Sequence, residues 1–334
     1  MKIRDLGEFG LIDLLSRRIP APSARVLKGI GDDTAVLKPD QGKLILMTTD
    51  MLVEDIHFSL LYTPFRSVGW KALAVNVSDI AAMGGLPTAA TVSIGIPPRL
   101  AAGDAEEIYL GLGECAEEYG VDIVGGDTVK SPDRLVINIT LLGEADPDRV
   151  VYRSGARPGD LIMVTGPLGA SAAGLYALNN KIAAGEGLVR DPIQAHLFPR
   201  ARIREGRALA QSGYVTSIND ISDGLASEIL EICRASGAGC KLDAEAVPYT
   251  VGIANMSRRA GVTPLRWALY GGEDFELVFT VKPGGADAVR AVLKEIGSSP
   301  VTVGMIVNSD QGCVLIENGR KTELVAGGYD HFRE

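Results

Sequence analysis

The sequence predicts two α/β or α+β domains that meet near residues 145–155. Its 334 residues exceed one average domain and fit two domains of about 150 residues each. Segments typical of strands and of helices alternate on both sides of this boundary. A turn-rich stretch at 153–160 separates the two series. We therefore place one domain at 1–150 and the other at 151–334.

The first half contains elements that can be assigned in order. Apolar residues at helical spacing predict a helix at 8–19. Because glycine followed by proline stops a helix, the apolar segment 67–83 is predicted to end as a helix at Gly84. The other predicted elements are strands at 36–37 and 44–47 around a turn at 39–42, a strand at 89–96, a helix at 104–119, and strands at 121–124 and 135–142.

The second half repeats the alternation. A buried strand is predicted at 161–164, directly after the turn-rich stretch. The elements that follow are a helix after Gly169, a helix near 200–211, a strand at 215–218, a helix from Ser222, a helix near 265–270 and a strand at 275–281. The chain shows no short-period repeat and no low-complexity segment.

Composition excludes several classes of function. A net charge of −9 argues against nucleic acid and anionic membranes, which attract basic surfaces. The four cysteines lack CxxC pairs and zinc-site spacing, so we expect reduced, buried thiols. Acids interrupt the N-terminal apolar residues, and no apolar run approaches the ~18 residues of a membrane span. We expect a cytoplasmic protein.

Acidic residues recur at the ends of apolar runs, flanked by glycine, serine or threonine. Acids drawn together from distant segments repel one another unless hard cations neutralise them. Because no comparable set of Cys, His or Lys exists, the sequence predicts oxygen-ligand chemistry and a site where several magnesium ions hold phosphates. The segments are 29–34, 48–50, 76–79, 125–128, 220–224 and 271–274.

Two of these segments offer metal ligands close to one another in the chain. Asp50 follows the strand at 44–47, where it could hold a cation with oxygens of Thr48 and Thr49, or simply start a turn. Asn76 and Asp79 lie three residues apart in a helical segment and so share a face. We predict that Asp79 binds a metal ion and that Asn76 supports it. The alternative is that these polar side chains form a capping or core hydrogen bond.

Two later segments suit phosphate. The glycines before Asp127 would let backbone N–H groups approach a phosphate, although tight turns use glycine equally. Ser222 or Asp223 predicts a helix N-cap that Glu228 completes, and a helix N-terminus itself favours phosphate. The loop at 166–171 is a further candidate, although it lacks the Lys-Ser/Thr of a Walker A sequence.

In this order, the segments resemble the thiamine-monophosphate kinase family of the PurM-like (aminoimidazole ribonucleotide synthetase-like) superfamily. The resemblance implies a two-domain PurM-like fold, with a dimer-forming sheet in the N-terminal domain, a C-terminal α/β domain, and therefore a homodimer. The sequence departs from the family pattern at Thr34 and Asn219, neither of which is an expected ligand. The matching segments are 7–9, 29–33, 49–50, 57–58, 71–79, 125–128, 153–156, 220–225, 271–274 and 328–332.

The resemblance implies transfer of the γ-phosphoryl group of ATP onto thiamine monophosphate, giving thiamine diphosphate. The acceptor phosphate has a second pKa of about 6, so no catalytic base is expected, and several Mg²⁺ ions would offset the repulsion between the two anions. The implied metal ligands are Asp33, Thr48, Thr49, Asp50, Asp79, Asp127, Asp220 and Asp223. The implied ATP contacts are Tyr109, Gly126, Asp127, Arg153 and Ser222, and the thiamine phosphate contacts are His57, Glu273 and Tyr329.

Other functions of the same fold remain alternatives. Selenophosphate synthetase uses a reactive cysteine near the N-terminus, whereas the first cysteine here is Cys115. The hydrogenase-maturation dehydratase ends in a functional cysteine, which this sequence lacks. The cyclo-ligase of purine synthesis is a third relative. A non-catalytic nucleotide-binding protein would be expected to lose one or more acids, and none of the expected acids is missing.

Overall fold

The structure is a computed structural model that describes residues 26–28, 32–38, 42–182, 189–328 and 332. The helix predicted at 8–19 and Tyr329 lie outside the described residues. Within those described ranges, no helix combines the length and apolar character that a bilayer crossing requires.

The first half forms a six-stranded sheet with two helices on one face. The strand order is β1-β2-β3-β6-β4-β5, so β5 lies at one edge. The strands are β1 (Val26–Lys28), β2 (Ala35–Leu37), β3 (Leu44–Val53), β4 (Leu86–Ile96), β5 (Asp122–Lys130) and β6 (Val136–Ala145), and the helices are α1 (Phe65–Ala82) and α2 (Ala102–Tyr119).

The two helices of this half cross at very short range. A Cβ on Gly69 of α1 would lie 1.9 Å from the carbonyl oxygen of Ile108, and one on Gly111 of α2 would lie 1.8 Å from that of Arg66. Any side chain at either position would therefore force the helices apart. The glycine at 111, which superficially fits a dinucleotide-binding pattern, serves this helix packing.

The second half forms a seven-stranded sheet in the order β13-β12-β9-β11-β7-β10-β8. Its strands are β7 (Leu161–Val164), β8 (Val215–Asp220), β9 (Ala238–Asp243), β10 (Leu277–Val281), β11 (Val301–Asn308), β12 (Cys313–Glu317) and β13 (Arg320–Glu323). Its helices are α3 (Ala170–Asn179), α4 (Arg190–Leu197), α5 (Ile203–Gln211), α6 (Leu225–Ser236), α7 (Val251–Ala260), α8 (Pro264–Tyr270) and α9 (Ala286–Glu295).

The two halves pack directly against each other. Helix α1 lies against α5, where a Cβ on Gly206 would come within 2.1 Å of the carbonyl oxygen of Ala81. Trp70 of α1 also donates a 2.8 Å hydrogen bond to the carbonyl oxygen of Pro199. Helix α1 is therefore buried on most sides, so apolar residues lie all around it and even its polar residues Lys71 and Asn76 are buried.

The predicted helices and strands that fall within the described residues exist, but three boundaries differ in ways that affect the site. Strand β3 continues to Val53 because it stays paired with β6, so Asp50 lies inside a strand and does not end one. Strand β5 likewise runs through Gly126 and Asp127, paired with β4. Helix α6 begins at Leu225 with Gly224 as its N-cap, so the predicted N-cap at Ser222 or Asp223 is wrong.

Candidate active site

A cleft of about 1240 Å³ lies between the two halves. Strand β3 and helix α1 supply Asp50 and Asp79 from the first half. Strand β8 and the segment after α8 supply Asp220 and Glu273 from the second half. Residues that the sequence separates by more than 200 positions thus border one space.

Four aspartates form the centre of this cleft, and we call them the acid cluster. Carboxylate oxygens of Asp33, Asp79 and Asp220 all lie within 4.8 Å of one another. Asp50 shares a side-chain hydrogen bond with Asp79. The prediction that acids from distant segments meet is therefore confirmed by the geometry for these four residues.

Burial and mutual repulsion disfavour the charged forms of these acids. Burial raises the pKa of Asp33 to about 7 and the pKa values of Asp50 and Asp220 to about 6. Burial together with the charges of the neighbouring aspartates holds the pKa of Asp79 well above its ordinary value. Protons are therefore held in this cluster at pH values where an exposed aspartate would be ionised.

Neighbouring side chains fix the orientation of the acids. Thr48 donates a hydrogen bond to Asp79, and Ser78 Oγ donates one of 2.6 Å to Asp220 Oδ2. Asn76 Oδ1 accepts a 3.1 Å hydrogen bond from the backbone N–H of Asp50, while its Nδ2 donates to a backbone carbonyl of its own helix at 3.0 Å. Asn76 thus has the supporting position expected from the sequence.

Arg153 lies at the edge of the acid cluster and is, with Ser222, one of two predicted ATP contacts that border the cleft. Its guanidinium forms an ion pair with Asp33, and Nε donates a 3.0 Å hydrogen bond to Asn219 Oδ1. A phosphate entering the cleft would compete with Asp33 for this guanidinium. The side chain of Asn219, an unusual residue for the family pattern, thereby orients the arginine.

Glu228 organises the segment that carries Ser222 and Asp223. It accepts hydrogen bonds from Ser222 Oγ at 3.2 Å and from the backbone N–H of Asp223 at 3.0 Å. It also accepts one of 2.5 Å from Asn219 Nδ2. Burial, followed by the charges of Asp220 and Asp223, raises the pKa of Glu228 well above its ordinary value. Glu228 thus fixes the turn before α6, but the expected capping arrangement is wrong, because the N-cap is Gly224 and no side chain forms a capping hydrogen bond there.

His57 borders the cleft in one defined tautomer. Its Nδ1 accepts a 3.0 Å hydrogen bond from the backbone N–H of Val53, so the neutral ring carries its proton on Nε2. In this state His57 offers a hydrogen-bond donor through Nε2. This arrangement suits contact with an anion better than removal of a proton.

Glu273 lies at the same end of the cleft and contacts two residues that sequence reasoning did not assign, the cation of Lys71 and the ring of His196, whose pKa burial lowers to about 4 so that it is neutral near pH 7. Lys71 Nζ lies 2.7 Å from Glu273 Oε2, and His196 Nδ1 lies 3.2 Å from the same oxygen. Although burial acts to raise the pKa of Glu273, the charge and the hydrogen bond of Lys71 outweigh it and hold that pKa below its ordinary value. The sequence feature that could have identified Lys71 is its position as a single lysine within the largely apolar segment of α1.

The backbone around Glu273 is strained. Glu273 and Phe275 have φ values of +66° and +49°, which are uncommon for residues with side chains. The backbone N–H of Glu273 donates a 2.6 Å hydrogen bond to the carbonyl oxygen of Ser222 and so fixes the turn. Strain maintained beside a cleft is typical of functional sites.

The carboxylate of Asp274 binds the backbone of the loop at 166–171, which the sequence suggested as a phosphate site. It accepts hydrogen bonds from the backbone N–H groups of Gly169 at 2.6 Å and Ser171 at 3.2 Å. These are the N–H groups that a phosphate would need at the start of α3. A protein carboxylate therefore takes that position, and the expectation of a phosphate loop there is wrong.

Three predicted residues do not border the cleft. Tyr109 is 42% exposed on α2, and Gly126 and Asp127 lie on the edge strand β5. Residues paired across the strands place Asp127 on the same sheet face as Met51, opposite to Asp50. A Cβ on Gly126 would lie 1.8 Å from the carbonyl oxygen of Val92, so strand packing alone requires this glycine.

Thr49 lies on the outer face as well, because side chains alternate along β3. Its hydroxyl donates a 2.8 Å hydrogen bond to the backbone carbonyl of Ile139. The structure therefore brings Thr48 to the acid cluster but turns the Thr49 side chain away from it. Asp223 borders the cleft beside Asp220, and Ser222 does so too.

The acid cluster fits hard divalent cations. It offers oxygen ligands alone, and Asp33 Oδ2 is buried with no hydrogen-bond partner among the residues described. A buried carboxylate oxygen left unpaired costs free energy that a bound cation would recover. The raised pKa values indicate the same shortage of positive charge.

Comparisons with known proteins agree with this geometry. Residues 31–145 match the AIR synthase related protein, N-terminal domain, and residues 157–316 match the C-terminal domain of the same family. The chain is 37% identical to the thiamine-monophosphate kinase of Synechococcus elongatus (99% of this chain, 98% of the relative) and 34% identical to that of Bacillus subtilis (98% and 100%). A solved structure of AaThiL complexed with AMPPCP and TMP matches with a TM-score of 0.86 and 35% identity, covering 99% of both chains. The PurM-like two-domain fold expected from the sequence is confirmed by these matches.

Proposed function

Because this chain belongs to the thiamine-monophosphate kinase family, we propose that it transfers the γ-phosphoryl group of ATP directly to the phosphate of thiamine monophosphate. The products are thiamine diphosphate and ADP. A similar structure that holds AMPPCP and TMP supports this choice of substrates. The observation that carries the proposal within this chain is the acid cluster at a cleft shared by both halves.

Electrostatics explain why such a cleft suits this reaction. Two polyanions must meet, and the acids alone would repel both of them. We assign Asp33, Asp50, Asp79 and Asp220 as holders of Mg²⁺, with Asp223 and Thr48 beside them. Bound Mg²⁺ supplies positive charge that stabilises the transferring phosphoryl group.

The remaining polar side chains then divide between the two substrates. Arg153 and Ser222 lie beside the acid cluster and are assigned to ATP phosphates. His57 and Glu273 border the same cleft and are assigned to thiamine monophosphate. His57 Nε2–H would donate to the acceptor phosphate, which needs no base because it is already anionic near neutral pH. Tyr329 is assigned to the same substrate by resemblance alone.

We further propose a homodimer that covers the outer face of the N-terminal sheet. Met47, Met51 and Leu142 are 40%, 53% and 38% exposed on this face, and Val124 of the edge strand is 66% exposed. An exposed apolar sheet face is typical of a subunit interface. Asp127 shares this face, so its metal role would be exercised toward the second copy, whereas Gly126 and Tyr109 are assigned to ATP by resemblance alone. The domain boundary and the cytoplasmic location stay predictions.

A mixed dimer tests the assignment of Asp127. Asp127→Asn and Asp50→Asn are each expected to be inactive as homodimers. If Asp127 serves the second copy, refolding the two variants together should recover about a quarter of the specific activity through one intact site in each mixed dimer. If both acids serve the site of their own protomer, each subunit of the mixed dimer has one substituted acid in its own site, so no activity returns.

An ATP-consumption assay tests the proposed reaction. ADP release should require thiamine monophosphate and a divalent cation, and thiamine lacking the phosphate should not replace the acceptor. ATP binding without turnover under any of these conditions would instead favour a non-catalytic nucleotide-binding protein of the same fold. Turnover with another acceptor would favour another ATP-dependent PurM-like enzyme.

A further inference from the structure

Three of the four cysteines lie together, away from the cleft, although one of them is distant from the other two in sequence. The Sγ atoms of Cys233, Cys240 and Cys313 all lie within 4.8 Å of one another, and we call these residues the thiol cluster. Cys233 and Cys240 are buried, while Cys313 is partly exposed. Sequence spacing gave no sign of such a group, because one member lies 73 residues beyond the others.

Three elements of the second half converge to build the thiol cluster. Cys233 lies near the C-terminal end of α6, which turns at Gly237 directly into β9 with Cys240. Strand β12 runs parallel to β9 and places Cys313 opposite Cys240. The backbone N–H of Cys240 donates a 3.1 Å hydrogen bond to the carbonyl oxygen of Gly312, which fixes the two strands beside the thiols.

The separations suit a metal ion bound by three thiolates. With metal–sulfur bonds of about 2.3 Å, three ligands on one ion lie about 3.8–4.0 Å apart. The observed limit of 4.8 Å requires only small side-chain adjustments to reach that spacing. Sulfur ligands select soft ions such as Zn²⁺ over the Mg²⁺ that carboxylates prefer.

We propose that Cys233, Cys240 and Cys313 form a structural site for one Zn²⁺ ion, with water on the exposed side of Cys313 as fourth ligand. Binding replaces thiol protons with one divalent cation, so the reaction releases up to three protons and requires no oxidant. The ion would tie the end of α6 to strands β9 and β12 at one side of the seven-stranded sheet. The site thus stabilises the second half.

This inference is independent of the proposed kinase reaction. Helix α6 borders the cleft with residues as far as Glu231, whereas Cys233 is buried in the core of the second half. None of the three cysteines borders the cleft. A failure of the zinc proposal would therefore leave the acid cluster and its chemistry unchanged.

Cadmium titration of the full-length, reduced protein tests the site. Cd²⁺ replaces Zn²⁺ at thiolates and gives an ultraviolet charge-transfer band that carboxylate ligands do not give, so excess Mg²⁺ can protect the acid cluster during the titration. We compare the wild-type protein with Cys313→Ser, chosen because Cys313 is the partly exposed member. The matched control is Cys115→Ala, which alters the fourth cysteine in the core of the first half.

We expect one equivalent of Cd²⁺ to give the band in the wild type and in Cys115→Ala, and Cys313→Ser to lose most of it. Stoichiometric Zn²⁺ should raise the melting temperature of the same two proteins and suppress alkylation of Cys313. An absent band in the wild type, or equal binding by Cys313→Ser, would overturn the proposal. So would mass spectrometry of the untreated protein that found a disulfide joining two of these cysteines.

Discussion

Ser78 Oγ donates a 2.6 Å hydrogen bond to Asp220 Oδ2, and this bond joins helix α1 of the first half to strand β8 of the second. Ser78 is fully buried, so no solvent competes for the bond. The relative position of the two halves and the orientation of a metal-site carboxylate are therefore linked through one hydroxyl group. Magnesium binding should depend on this residue although it is assigned no metal itself.

We predict that Ser78→Ala raises the Mg²⁺ concentration needed for half-maximal activity about tenfold. Hydrogen bonds to charged groups contribute about 1.5–3 kcal/mol, and their loss leaves Asp220 harder to ionise. Magnesium titration of initial rates measures the change. The control is Ser67→Ala, which removes an equally buried hydroxyl of α1 that bonds to the carbonyl oxygen of Pro64. Equal effects of both substitutions would assign Ser78 a general packing role.

The metal-free protein should become less stable as pH rises through the range in which the acid cluster ionises. The folded-state pKa values are about 7 for Asp33 and about 6 for Asp50 and Asp220, above the ordinary value of 3.8. The folded state therefore binds more protons than the unfolded state between about pH 4 and pH 7, and this contribution to stability is lost across that window. Thermal unfolding in EDTA, repeated with Mg²⁺, measures it. We expect Mg²⁺ to restore the melting temperature at pH 7. A metal-free protein whose melting temperature rose between pH 4 and pH 7 would contradict the raised pKa values.

Asp50→Asn should raise the melting temperature of the metal-free protein at pH 7 while reducing turnover by orders of magnitude. Removing one charge relieves repulsion within the acid cluster, and each kcal/mol gained corresponds to about 2–4 °C. Asp127→Asn is the matched comparison, because this acid is exposed on β5. We expect it to reduce turnover without raising the melting temperature. A large fall in the melting temperature of the metal-free Asp50→Asn protein would instead indicate that Asp50 has a structural role.

His57→Ala should raise the KM for thiamine monophosphate more than it lowers kcat. The ring is held with Nδ1 as an acceptor, so under the proposed function it would donate from Nε2 to the substrate and not remove a proton. Steady-state kinetics at several pH values test this expectation. Loss of kcat at saturating substrate, with rescue by added imidazole, would indicate general-base catalysis and an acceptor other than phosphate.

Lys71→Met should both destabilise the protein and weaken binding of thiamine monophosphate. The side chains of Lys71 and Glu273 are 3% and 28% exposed, so the substitution leaves Glu273 as a largely buried charge beside the neutral ring of His196, whose pKa burial lowers to about 4. Breaking a buried pair in this way costs about 3–5 kcal/mol. Lys43→Met is the control, because its partner Asp146 is half-exposed and such surface pairs contribute about 0–1 kcal/mol. Thermal unfolding and KM measurements should separate the two variants clearly.

The sequence predicted the architecture and the identity of the central acids because both depend on local signals. Apolar periodicity located most of the described helices and strands but missed α4, α7 and α9. Acids at the ends of apolar runs, in segments with glycine, serine or threonine, identified Asp50, Asp79 and Asp220 as residues that would meet. The boundaries near Asp50 and Asp127 were misplaced because β3 and β5 stay paired beyond their apolar residues.

Contacts between distant segments could not be predicted from such signals. Lys71 and Glu273 are separated by 202 positions and pair only because α1 packs against the second half. The thiol cluster likewise depends on the parallel pairing of β9 and β12, which no spacing pattern in the sequence encodes. The sequence also could not predict on which face of the sheet Thr49 and Asp127 lie. Their facing follows from the register of strand pairing, which is known only from the structure.

Direct group transfer is the central claim, and one labelling experiment tests it. The protein is incubated with ATP labelled at the γ-phosphorus, thiamine monophosphate and Mg²⁺, and the products are separated by chromatography. The account predicts that the label appears in the terminal phosphate of thiamine diphosphate, in amounts equal to the ADP formed, and that EDTA abolishes the transfer. Label found in inorganic phosphate, with thiamine monophosphate unchanged, would contradict it.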